Sequence, residues 1–274
     1  MTRYLFNIKV NPTRRFFRSA GVLAGLLLAG CAVFTIEPSL MRPAEPATLA
    51  LPNDVTLTHL GPMDIKVLGK ETVLFSASFR VDAPGVVVYI DPAGVTDPVP
   101  ADYILITHNH GDHFSPTDIE RLCHDATVVV GPHKVVKALK DHQTMAVGPG
   151  ERLELEGILV ETVPMYNLEP AFLGITPHPE KAGYVGYVLT INGVRIYHAG
   201  DTSPVPGLAE LEDITAALIP LGEDDGNLTM DTAEAAALVN AMGPEIAIPM
   251  HYELDEGYPE RFRALVDDGI RVEI

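Results

Sequence analysis

Tyr103-Ile-Leu-Ile-Thr-His108-Asn-His110-Gly-Asp112-His113-Phe-Ser115 decides the reading of this chain. A short run of β-branched and aliphatic residues, Tyr103–Thr107, runs straight into three histidines and an aspartate within six positions. An apolar run of this length predicts a strand covered on both faces. His108 and His110 fall two residues apart, the spacing that turns side chains the same way in extended chain. Gly111 then lets the backbone turn sharply before Asp112 and His113. Imidazole and carboxylate at this density are metal-ligand chemistry suited to zinc, manganese or iron.

Two other strand ends carry the same residue types. Tyr197-His198-Ala-Gly200-Asp201-Thr202 places a carboxylate just beyond a glycine, and Ile248-Pro-Met-His251-Tyr252 ends on a histidine. Each is weak alone, but together with the first cluster they describe one site assembled from distant loops.

Around these segments the chain alternates β-rich and helical runs. Strands are expected at Val55–Leu60, Ile65–Leu68, Thr72–Phe79, Val86–Ile90, Tyr103–Thr107 and Thr127–Val130. More are expected at Ile158–Val163, Tyr184–Ile191, Val194–His198, Ala216–Pro220 and Ile246–Pro249, each bounded by Gly, Pro, Asn or Asp. Asn192-Gly193 carries a hairpin signal. Helices are expected at Pro116–His124, Pro132–Lys140, Asp231–Met242 and Pro259–Asp268. The strands-then-helices order occurs twice, which predicts an α/β domain of two packed sheets with helices outside.

The chain has 274 residues with 47% hydrophobic and 20% charged side chains, which excludes a disordered polymer. Two cysteines exclude a disulfide-stapled fold. The formal charge is −18, so no nucleic-acid partner is expected. The five cations of residues 1–31 stand without an acid among them; the rest holds 14 Lys and Arg against 37 Asp and Glu, a charge of −23.

Those first 31 residues read as an export signal: a basic start, an apolar stretch too short for the ~20 residues of a spanning helix, then Cys31. Arg14-Arg15 resembles the twin-arginine motif, and Leu28-Ala-Gly-Cys31 resembles a lipobox, with Cys31 as the lipidated residue. Residues 32–53, with four prolines, are then a stiff tether, and 54–274 the folded domain. The expected product is a membrane-anchored lipoprotein facing the periplasm or cell exterior. Cys123 reads as a free buried thiol.

Thr107-His-x-His-x-Asp-His113, Gly200-Asp201-Thr202 and Pro249-Met-His251 resemble the metallo-β-lactamase superfamily. Val163-Pro-Met-Tyr-Asn167, Gly186-Tyr-Val, Ile196-Tyr-His-Ala-Gly-Asp201 and Thr229-Met230 are similar to its branch of metal-dependent hydrolases related to L-ascorbate-6-phosphate lactonase. The resemblance, from about residue 55 to the end, implies a four-layer αβ/βα sandwich with metals at one edge. It implies His108 and His110 on a first metal, Asp112, His113 and His251 on a second, and Asp201 bridging them. It further implies hydrolysis by a hydroxide held between two divalent metals, a zinc pair, with manganese or iron as alternatives. Asp112 would hold that hydroxide and shuttle its proton.

One position departs from the pattern. Where the superfamily supplies another histidine to the first metal, this chain has Asn167; His178, eleven residues on in Thr176-Pro-His-Pro179, is the alternative donor. Other histidines read as structural or solvated, with a supporting role beside Asp201 open to His198. Glu223-Asp-Asp225 reads as a solvated acidic turn, and Tyr166 as either a packing residue or an oxyanion contact. A lactone, an amide or a phosphodiester, including a lipid, suits the chemistry equally. A binding or sensing lipoprotein without turnover is the rival class.

Overall fold

The computed structural model describes residues 47–67, 70–171, 174–222, 228–254 and 257–274. The first half runs β1 (Ala47–Leu51), β2 (Val55–His59), β3 (Pro62–Val67), β4 (Lys70–Phe75), β5 (Phe79–Ala83), β6 (Val86–Ile90), β7 (Tyr103–Leu105), α1 (Pro116–Leu122), β8 (Val128–Gly131), α2 (His133–Ala138) and β9 (Gln143–Ala146). The second runs β10 (Arg152–Leu155), β11 (Ile158–Pro164), β12 (Val185–Ile191), β13 (Val194–His198), β14 (Ala216–Pro220), α3 (Thr232–Met242), β15 (Ile246–Met250), β16 (Tyr252–Glu253), α4 (Tyr258–Leu265) and β17 (Arg271–Val272).

Two seven-stranded sheets result, ordered β1-β2-β5-β6-β7-β8-β9 and β10-β11-β12-β13-β14-β15-β17, with a small β16-β4-β3 sheet beside them. The alternation of side chains explains the uniformly apolar central strands. Val88, Ile90, Leu105 and Val130 face the core shared with the second sheet, whose Val160, Tyr187, Leu189 and Ile196 meet them. Their neighbours Tyr89, Ile104, Ile106 and Val129 face the other way, onto Ile119 and Leu122 of α1 and Val135 of α2. Ala235, Val239 and Phe262 of α3 and α4 pack with the second sheet. The layers are therefore helix, sheet, sheet, helix, the expected αβ/βα sandwich.

Local chemistry sets the joints. Ser115 caps α1 by accepting from the Asp118 N–H, with Pro116 at the first turn. Asp231 and Glu234 form a capping box on α3, and Gly243 ends it in the left-handed region. Asn192 and Gly193, at φ 47° and 76°, join β12 to β13.

Four expectations need correction. Residues 47–51 are not tether: β1 pairs with β2 from Ala47↔His59 to Leu51↔Val55. The prolines at 46 and 52 flank this edge strand instead of dissolving it, which edge position permits. The expected Thr72–Phe79 strand is two: β4 ends at Phe75 and β5 starts at Phe79, because Ser76 and Ser78 turn their hydroxyls to backbone carbonyls. The exposed strands β9 and β10 were hidden by weak periodicity. Cys123, expected buried, is half-buried at the end of α1. The export signal, Cys31, residues 32–46 and Glu223–Asp225 lie outside the described residues. Among the described residues no helix is long and apolar enough to cross a membrane.

Candidate metal centre

Every strand that leads into the site ends at the same edge of its sheet, where ligands collect in open α/β architectures. The loop after β7 delivers His108, His110, Asp112 and His113. The loop after β13 delivers Asp201, and the residue after β15 is His251. His178 arrives on the long connection between β11 and β12.

Besides a set made by Asp91, His108 and His113, the donor atoms form two groups that share one residue. Those of His108, His110, His178 and Asp201 lie within 4.8 Å of one another, as do those of Asp112, His113, Asp201 and His251. Asp201 belongs to both. Its Oδ2 is 3.7 Å from His108 Nε2, 3.6 Å from His178 Nε2 and 3.3 Å from His251 Nε2, while its Oδ1 is 3.2 Å from His113 Nε2. His110 turns Nδ1 inward, 3.0 Å from His178 Nε2. His251 Nε2 is 3.1 Å from Asp112 Oδ2.

This arrangement does not satisfy itself. His108 Nε2, Asp112 Oδ1, His113 Nε2, Asp201 Oδ1 and His251 Nδ1 are buried and make no hydrogen bond. Orphaned polar atoms at this density are costly unless a cation joins them. The donor set, imidazoles with two carboxylates, is that of zinc and its first-row neighbours. The residues present thus fit a bound metal.

Electrostatics point the same way. Burial and the neighbouring His113 and His110 hold His108 well below its usual range. Burial similarly takes His178 down to about 3. Burial opposes the charge on His113, but Asp201, Asp112 and Asp91 overcome it and raise the imidazole well above its usual range. For Asp112, burial is outweighed by His113 and His251, which hold the carboxyl at about 2. Asp201 is likewise lowered, against burial, by His113 and His251. Without a cation the carboxylates are held ionised and His108, His110 and His178 neutral, whereas, against burial, Asp201 and Asp112 hold His113 and His251 above their usual range, protons that a bound metal would displace.

Asn167 faces away from the donors. Its Oδ1 accepts from His178 Nδ1 at 2.8 Å and from the His178 N–H, and its Nδ2 donates to the Leu228 carbonyl at 2.8 Å. The amide therefore fixes the ring that turns Nε2 inward. His198 Nε2 donates to the Ala77 carbonyl at 2.8 Å and its Nδ1 accepts from the Gly200 N–H, so it anchors the turn before Asp201. Gly200 itself sits at φ 62°, and a Cβ there would lie 2.6 Å from Met165 Sδ. Tyr166 is half-buried against the core, its carbonyl accepting from Ser203 N–H and Thr202 Oγ1.

One residue escaped the sequence reading. Asp91, immediately after β6, is fully buried at φ 48°. It accepts from Thr107 N–H at 2.7 Å, from Thr107 Oγ1 and from His113 Nδ1 at 2.8 Å. By accepting from Nδ1–H it orients the His113 ring so that Nε2 faces the donors. Its signal was a carboxylate directly after an apolar strand, in Ile90-Asp91-Pro92. His251 shares its backbone strain, at φ 54°; such conformations cost roughly 1–3 kcal/mol and gather at functional sites.

A layered sandwich with a His/Asp cluster at one sheet edge defines a class of metal-binding proteins, and comparison with known proteins names it. Residues 72–251 match the β-lactamase superfamily domain. The UPF0173 metal-dependent hydrolase of Methanopyrus kandleri is 32% identical over 230 residues, 74% of this chain and 94% of that protein. That of Archaeoglobus fulgidus is 32% identical over 233 residues, covering 77% and 94%. The crystal structure of a proposed metal-dependent hydrolase from Parabacteroides distasonis superposes with a TM-score of 0.66 at 29% identity, over 84% of this chain and 97% of that one. The fold is also that of the metallo-β-lactamase fold protein YhfI of Bacillus subtilis, at TM-score 0.61 and 12% identity over 80% and 96%. The chain belongs to the metallo-β-lactamase superfamily, among its metal-dependent hydrolases.

Proposed function

We propose that this chain is a dinuclear metallohydrolase acting on a carbonyl or phosphoryl centre, with a lactone, an amide or a phosphodiester as substrate. The observation that carries the reading is Asp201, whose Oδ2 lies between His108 and His178 of one donor group and His251 of the other, while its Oδ1 faces His113. His108, His110 and His178 would hold one metal, Asp112, His113 and His251 the other, and Asp201 both; zinc suits these donors, with manganese or iron as substitutes. Two divalent metals there supply Lewis acidity and a water acidic enough to attack at neutral pH. Asp112, with Oδ1 unpartnered, would hold and pass on the proton of that water. Asp91 and Asn167 keep the His113 and His178 rings turned toward the donors.

Elemental analysis of purified protein, followed by chelation and metal add-back in a screen of lactones, amides and phosphodiesters, tests this. Two metals per chain and chelator-sensitive hydrolysis are expected. Hydrolysis untouched by a strong chelator overturns the reading.

We also infer that the protein is exported by the twin-arginine route and anchored to a membrane through Cys31. The basic start, Arg14-Arg15 and Leu28-Ala-Gly-Cys31 support this. Arg14→Lys with Arg15→Lys should block export, and Cys31→Ser should release the protein from membranes; unchanged fractionation of both sinks the inference.

A further inference from the structure

A chain of polar groups lines the rim of the first donor group without belonging to it. Lys134 Nζ donates to Tyr184 Oη at 3.2 Å, and Tyr184 Oη donates to Asn109 Oδ1 at 2.7 Å. The Tyr184 ring is buried, with its centroid 5.5 Å from that of His108 and 6.2 Å from that of His178. Lys134 also lies over this ring, 5.0 Å from the centroid. Asn109 sits between His108 and His110 in sequence and is exposed, as is Lys134.

The direction of donation matters. Tyr184 spends its proton on the Asn109 oxygen, so the Asn109 amide turns N–H donors outward. Lys134 gives one N–H to the phenol and retains two. Among the described residues Lys134 makes no ion pair. Its position in the first turn of α2, which holds no acid, places a cation at the positive end of the helix, where the helix gains nothing from it. In a chain of formal charge −18, the surrounding field repels anions. A cation held 5.0 Å from the centroid of the Tyr184 ring, which itself lies 5.5 Å from that of His108, offsets that field locally, since surface charges act over a screening length of ~8 Å.

We infer that the substrate carries an oxyanion, a carboxylate or a phosphate, beside the bond to be cleaved, and that Lys134 Nζ and Asn109 Nδ2 bind it. Tyr184 is a positioning residue that locks both donors in place. This rests on the hydrolase reading above and narrows its substrate class.

Three matched γ-lactones test it with the metal-loaded protein: one bearing a side-chain carboxylate, one a phosphate, one a neutral methyl ester. Lys134→Met should raise KM for the anionic lactones roughly tenfold, as loss of one charged hydrogen bond implies, with kcat little changed. Lys134→Arg should restore it, and the neutral lactone should be indifferent to both variants. Preference for the phosphate or for the carboxylate identifies the natural group; either supports the proposal. An equal loss on all three lactones overturns it. If no lactone is turned over, the hydrolase reading has failed for this class, and calorimetric Kd values for the same compounds decide the anion site. Tighter binding of the anionic compounds that disappears in Lys134→Met upholds it, and charge-blind binding overturns it.

Discussion

In the first sheet three antiparallel pairings, β1-β2-β5-β6, lead into three parallel ones, β6-β7-β8-β9. The second sheet repeats the plan, antiparallel through β10-β11-β12-β13 and parallel through β13-β14-β15-β17. By position, Asp91 after β6 corresponds to Asp201 after β13, and the β7 loop to the loop after β14. Lys134, three residues after β8, takes the place of His251 after β15. The same scaffold is used unequally. The first half puts four donors on one loop and keeps Asp91 behind them as a support. The second half puts single donors on separate strand ends and pushes its aspartate forward between the two groups.

That asymmetry makes Asp201 the residue whose loss costs most. Asp201→Ala should remove metal from both groups, lowering bound metal from two to less than one per chain. Hydrolysis should fall roughly a thousandfold or more, since several kcal/mol of transition-state stabilisation go with the metals. His108→Ala should take out one metal only. Elemental analysis of both variants checks this, and a full metal at either group in Asp201→Ala breaks the comparison.

Its counterpart Asp91 should act one step removed. Asp91→Asn keeps the shape but can no longer accept the His113 proton in the same way, and metal affinity at the second group should weaken about 10- to 100-fold. Competition with a chromophoric chelator measures it; equal weakening of both groups would mean a general collapse of the loop. Asn167 invites the parallel test at the first group. His178→Ala should lose one metal, whereas Asn167→Ala should retain it with affinity reduced about tenfold.

The unequal design also explains what was readable in the amino-acid sequence. His108 through His113 stood out because one tight loop concentrates donors within six positions. Asp201 and His251 became legible only as members of a set, since each is one polar residue after an apolar strand. Asp91 has that same appearance in Ile90-Asp91-Pro92, yet it was passed over because it adds nothing to a donor count and acts only through Thr107 and His113. His178 against Asn167 stayed open for a physical reason. The pair is coupled by the 2.8 Å Oδ1–Nδ1 bond, and which member turns inward depends on the path of the β11–β12 connection, which no local pattern encodes. The sandwich was legible from strand lengths and doubled order, whereas β1, β9 and β10 were not, because edge strands carry weak alternation and tolerate flanking prolines.

The smallest effect separates two histidines that share one local device. His59 and His198 each end a strand, donate Nε2–H to a carbonyl, of Ser76 and Ala77, and accept at Nδ1 from the glycine two residues on. Only His198 leads to a donor. His59 stacks on Phe75 with centroids 3.8 Å apart, and burial, against the bond to Ser76, lowers its pKa from 6.5 to about 4. The unfolded chain therefore takes up this proton below pH 6.5 while the folded chain resists it until about 4. Stability contributed by the neutral ring is complete above 6.5 and is lost as the pH falls through that interval, by at most about 3 kcal/mol. Urea unfolding of metal-free protein between pH 4 and 8 should show a shallower pH dependence in His59→Gln than in the parent chain, with metal affinity at pH 8 unchanged. His198→Gln should instead weaken metal binding at pH 8, because the Gly200 N–H loses its acceptor and Asp201 its fixed approach. Equal effects of the two variants on metal affinity would mean that the shared His-x-Gly turn serves the fold alike in both sheets.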